Sequence, residues 1–134
     1  MAASPNAAKL AAYSSASTHG GVAAADPHRL IVMLMDGALE RVAVARACIE
    51  RKEIAEKTRL LNRAVSIVGE LRSSIDMNAG GAIAANLADL YDYMCRALLK
   101  ANAMNSVKLL DEVTSLLTEI RGAWLAIPAQ ARAR

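Results

Sequence analysis

Two histidines, His19 and His28, and two cysteines, Cys48 and Cys95, are the first candidates for metal or nucleophilic chemistry in this 134-residue chain. A di-iron site in a helical bundle needs Glu-x-x-His pairs projecting inward, and no such pair occurs. His19 falls in a Ser/Gly/Ala stretch, and His28 sits at a helix start, where a first-turn surface position is the simplest reading. Neither cysteine has an adjacent His or a CxxC partner, so both read as small buried hydrophobes in a reducing compartment. Gly20-Gly21 precedes no Lys-Ser/Thr pair and follows no strand pattern, unlike a phosphate-binding loop. The expectation is a chain with no catalytic set, no cofactor and no metal, hence not an enzyme.

The elements that would position any site are helices. Apolar residues make up 54% of the chain, but they are mostly Ala, Leu, Val, Ile and Met, with three prolines and no phenylalanine. Asp26 is a good N-cap and Pro27 fits the first helical position, opening a helix to about Arg51. Its stripe is Ile31, Leu34, Ala38, Val42, Ala45 and Ile49. A second helix runs from about Glu53 to Ile75 with Ile54, Leu61, Ala64, Val68, Leu71 and Ile75 on one side, and "DMNAGG" stops it. A third covers roughly Ala82 to Ala103, its inward stripe expected at Ile83, Leu87, Leu90, Met94, Leu98 and Ala101. Asn105 or Ser106 caps a fourth, with Leu110, Val113, Leu117, Ile120, Trp124 and Ile127 inward and Pro128 at its end. Long helices of matched length joined by short links must be antiparallel neighbours. The fold class is therefore all-α, an up-down-up-down four-helix bundle over residues 26–128.

Residues 1–25 are Ala, Ser, Gly and Thr with little to bury, which predicts a flexible arm carrying at most a short helix in "NAAKLAAY". Residues 129–134 read as a disordered tail. The first dozen residues hold one Lys and no apolar block, so no secretory signal is expected. The longest apolar run, "LIVMLM", is far short of the roughly 20 residues of a membrane span. The protein is expected in the cytoplasm, without membrane insertion. The net charge of +3 comes largely from the tail arginines, and elsewhere Lys and Arg interleave with Asp and Glu, so no nucleic-acid face is expected.

What remains is surface. The first helix carries Val32, Met33, Met35, Leu39, Ala43 and Val44 outside its stripe, and Leu60 and Ile67 widen the stripe of the second. Two readings stand: a wide core stripe with scattered surface hydrophobes, or a groove that takes the apolar face of a partner helix. Gly37 in mid-helix reads as close helix packing or, less readily, the approach of a ligand, and Asp36 as a partner for Arg29, Arg41 or another molecule. Tyr91 and Tyr93 are about 200° apart on their helix. Tyr91 falls at the core edge with its hydroxyl reaching a polar partner. Tyr93 either covers a seam to a neighbouring helix or presents an aromatic contact, near Asn86.

Four stretches, in order, carry a resemblance: "DPHRLIVMLMDGALER", "LRSSID" followed by Gly80-Gly81, "NLADLYDYMCRALLKAN" and "LLDEVTSLLTEIRGAW". Together they resemble the FliS family of flagellin-specific secretion chaperones over Asp26 to Trp124, and Tyr13 resembles the family's N-terminal tyrosine. The family commonly has a tyrosine where Met35 stands, so a hydroxyl is missing here. The resemblance implies a non-catalytic, ATP-independent helical bundle. It would hold the disordered C-terminal segment of flagellin, prevent premature polymerisation and meet the flagellar type III export gate, as a monomer or weak homodimer. Client-binding residues are then expected among Tyr13, Val32, Met33, Met35, Asp36, Leu39, Leu60, Ile67, Asn86 and Tyr93. The competing class is a structural bundle that self-associates through the same apolar faces.

Overall fold

The computed structural model describes residues 26–128; the expectations for the arm with Tyr13 and for the tail lie outside these. Four helices follow in order: α1, Pro27–Glu50; α2, Ile54–Ser73; α3, Met77–Met104; α4, Val107–Leu125. Each pair of chain neighbours packs together and α4 returns against α1, so the four form a closed antiparallel ring. This is the expected four-helix bundle. The α1–α2 seam is the most extensive and the α3–α4 seam the least.

Local chemistry sets the helix ends. Asp26 accepts from the Arg29 amide with Pro27 at the first position, Asp76 accepts from Asn78 and Ala79, and Ser106 accepts from Leu109. α1 ends in paired reverse bonds, Glu53 N–H to Cys48 C=O and Lys52 N–H to Ile49 C=O, which place Lys52 at φ 62. α3 ends likewise at Asn105, φ 52, with the Ser106 amide reaching back to Ala101. Lys57 of α2 closes that same end. It is 3% exposed, and its ammonium donates to the Asn102 carbonyl (2.8 Å) and Asn105 Oδ1 (2.7 Å). A cation here also complements the negative end of the α3 dipole.

The core runs the length of the ring: Leu34, Met35, Ala38, Val42 and Ala45 from α1, Leu61, Ala64, Val68 and Leu71 from α2, Leu110, Val113 and Leu117 from α4. These follow the expected stripes, apart from Ile54, which is exposed, and Met35, expected outside the stripe but fully buried. The α3 face does not. Ile83 is 80% and Leu90 38% exposed, while Ala84, Ala88, Tyr91, Met94, Ala97, Leu98 and Ala101 point inward. The helix is rotated so that small residues meet the core, and Tyr91, 2% exposed, fills its middle rather than its edge. Its hydroxyl meets no hydrogen-bonding partner among the described residues, contrary to expectation.

His28 also corrects the sequence reading. It is 8% exposed, not a surface residue, and its ring stacks on Trp124 with centroids 4.9 Å apart and planes 10° from parallel. Its Nε2 lies 2.7 Å from the Trp124 carbonyl, and Trp124 Nε1 donates to the His28 carbonyl at 2.9 Å. The first turn of α1 and the last turn of α4 are thereby clasped together.

Candidate interaction surface

Among the described residues no group of three or more His, Cys, Asp or Glu side chains could hold a metal ion, and no helix is long and apolar enough to cross a membrane. Cys48 is buried and Cys95 half-buried, both free, and burial pushes both thiols up, away from the reactive thiolate. The surface is where the chain is unusual. Ile83, Leu87 and Leu90 repeat at the i, i+4, i+7 spacing along the first half of α3, with Leu87 half-buried against the core and the other two exposed.

The helix rotation explains the row. At 100° per residue, Ile83 and Leu90 lie roughly 80° and 100° to one side of Tyr91. Asp92 lies on the other side, and Arg72 of α2 bonds it at 3.2 Å. The row therefore looks toward α4, across the least extensive seam, where Leu116 and Ile120 are partly buried against the core. The apolar row of α3 and the partly buried Leu116 and Ile120 of α4 thus border the same seam. Its far side is bridged by Tyr93, whose hydroxyl donates to Glu112 of α4 at 2.5 Å. That bond to a carboxylate holds the phenol proton and raises the Tyr93 pKa, with burial adding to it.

The expected site residues divide into three groups. Met35, Leu60 and Ile67 are buried in the core, so none presents its side chain to a partner without opening the bundle. Val32, Met33, Asp36 and Leu39 of α1 are half-buried. Asp36 is bonded by Arg121 Nε of α4 at 2.6 Å, rather than by Arg29 or Arg41; Arg41 donates instead to the Gly37 carbonyl. Asn86, exposed, and Tyr93, half-buried, border the α3 row. Tyr13 lies outside the described residues. The structure thus does not gather the expected set on one surface. Spacing alone places this row in the core, whereas the structure turns Ala84, Ala88 and Tyr91 inward in its place.

The α1–α4 seam is polar outside and tightly tied. Arg46 makes a two-pronged contact to Asp111, at 2.8 and 3.3 Å, and this holds the Asp111 carboxyl below the usual carboxylate range. Such half-exposed pairs add little stability individually, but with Arg121–Asp36 they span the α1–α4 seam, which is more extensive than the α3–α4 seam.

Comparison with known proteins bears on the same chain. The family model for "Flagellar protein FliS" matches residues 9–131. The flagellar secretion chaperone FliSB of Pseudomonas aeruginosa is 46% identical over 112 residues, 84% of this chain and 89% of the relative. The flagellar secretion chaperone FliS of Salmonella typhimurium is 40% identical over 123 residues, 91% of each chain. That of Vibrio cholerae serotype O1 is 39% identical over 121 residues, 90% of this chain and 89% of the relative. An all-helical bundle matched over nearly its whole length by this model and these relatives belongs to the FliS family.

Proposed function

We propose that this protein is a cytoplasmic export chaperone that binds the C-terminal segment of flagellin, keeps it from polymerising early and delivers it to the flagellar export gate. It acts by binding alone, without catalysis or cofactor. The observation that carries this reading is the Ile83–Leu87–Leu90 row, an apolar line at helical spacing with Ile83 and Leu90 exposed beside the least extensive seam. A client segment that folds into an amphipathic helix as it docks would cover such a row. Ordering the segment costs part of the gross interaction energy, which favours later release. Asn86 and Tyr93 would contact the client at the edge of the row. Val32, Met33, Asp36 and Leu39 would offer a second flank on α1. The N-terminal segment with Tyr13 would compete for the same surface.

Titration of a flagellin C-terminal peptide tests the reading. Ile83→Asp and Leu90→Asp should each weaken binding on the order of 10- to 100-fold, because a charge on an apolar contact forfeits roughly 1.4–2.8 kcal/mol. Their thermal midpoints should stay near wild type, since both side chains are exposed. Unchanged affinity in both variants overturns the assignment of the row. Removing residues 1–18 should tighten the same titration several-fold, and equal affinity rules out a competing arm. A large, stable oligomer in light scattering that is indifferent to the peptide would instead favour the self-associating scaffold.

A further inference from the structure

The first turn of α3 is joined to the rest of the helix through a residue that is not helical. Gly81 has φ 57 and ψ −135, a region where only glycine sits without strain. Gly80 is needed for a different reason: a Cβ there would collide with that of Ala84, whereas i and i+4 Cβ atoms on a regular helix stand about 5–6 Å apart. Both glycines are thus demanded by the break, and a continuous helix would need neither. Little else holds the turn in place. Asp76 bonds the amides of Asn78 and Ala79 through its side chain and that of Gly80 through its carbonyl, all of them local contacts. Every residue from Asp76 to Ile83 is exposed, and the flanking anchors are Ile75, partly buried against the core, and Ala84, buried.

We propose that α3 exchanges between this broken form and a continuous helix that starts at Met77, with Gly81 as the hinge. Continuity restores helical bonds across residues 81–84 and costs the poor helix propensity of two adjacent glycines, so the two forms lie close in free energy. The exchange changes what the end of the bundle presents. On a straight helix Met77 comes within roughly 40° of the inward line through Ala84, Ala88 and Tyr91. That line then projects one apolar turn beyond the bundle, beside Ile83 and Leu87. A segment lying along the exposed row would meet this added turn, so the hinge sets the length of the surface.

NMR on the full chain with no partner present tests the exchange, and its outcome is separable from that of the peptide titration. The wild type should show microsecond-to-millisecond relaxation dispersion confined to residues 76–84. Gly81→Ala makes the left-handed region costly and adds helix propensity, which should shift the ratio of forms toward the continuous helix on the order of 30-fold or more. Its Cα shifts over 77–83 should become uniformly helical. Gly80→Ala should act in the same direction through Ala84. Two results overturn the proposal: a non-helical position 81 in folded Gly81→Ala or, should that variant not fold, flat dispersion over 76–84 in the wild type.

Discussion

Tyr91 shows how burial without a partner becomes a measurable liability. Its environment pushes the phenol up to about 12 through burial, against about 10 in an unfolded chain. Below pH 10 both states keep the proton, and the contribution of the neutral ring is complete. Between about pH 10 and 12 the unfolded chain loses its proton first, so stability falls as pH rises, by about 2 kcal/mol at pH 12. Tyr91→Phe should abolish this share of the alkaline loss in urea unfolding. At pH 7 the variant should be neutral or up to about 1 kcal/mol more stable, because the hydroxyl it removes has no partner among the described residues. A clear loss at pH 7 would mean that the hydroxyl has a partner. Lys57 makes the opposite case. Its charge is buried yet satisfied by two oxygens at the end of α3, a role that nothing in "AEKTR" advertises. Single residues of this kind are poorly legible, because their partners lie 45 or more positions away.

At the scale of the element, α3 separates what periodicity can and cannot supply. The repeat of apolar positions located the helix from about Ala82 onward, but two lines about 60–100° apart both carried apolar residues. The inward line combines small side chains at Ala84, Ala88, Ala97 and Ala101 with Tyr91, Met94 and Leu98, while Ile83 and Leu90 turn outward. Ala88→Leu should therefore cost about 1–3 kcal/mol through overpacking. Leu90→Ala should cost less than about 1 kcal/mol, since much of that side chain is already in water. Chemical denaturation of the two variants checks this, and the reverse order would restore the original stripe. The first turn of α3 was missed for a related reason: "DMNAGG" reads as a stop, and the Asp76 cap starts a turn inside it. On α1 and α2 the surplus apolar residues divide: Met35, Leu60 and Ile67 are packed away, while Val32, Met33 and Leu39 stay half-buried.

The described residues form a ring of four helices closed by the α1–α4 seam, and matched helix lengths with short links were enough to predict it. How the ring closes was not legible. Arg121 to Asp36 and Arg46 to Asp111 tie α4 to α1 across 85 and 65 residues. At one end the His28–Trp124 clasp completes the closure over 96 residues. A histidine in a first turn carries no mark that its ring will be covered by a helix nearly a hundred positions away. His28→Ala should remove the stack and one bond while leaving Trp124 Nε1 on the backbone carbonyl. The cost is about 1–3 kcal/mol, which lowers the thermal midpoint by roughly 4 °C or more for a unit of this size. A midpoint equal to wild type would show that the clasp is incidental to closure.

The clasp has one more consequence. Trp124 is the sole tryptophan of the chain, and it sits half-buried against an imidazole where α1 begins and α4 ends. Ultraviolet emission excited through indole therefore reports from a single known place. A shift in its wavelength or intensity on adding a partner reads whether that end of the ring has loosened, with no dye attached. The residue that shuts the molecule also supplies its built-in optical gauge.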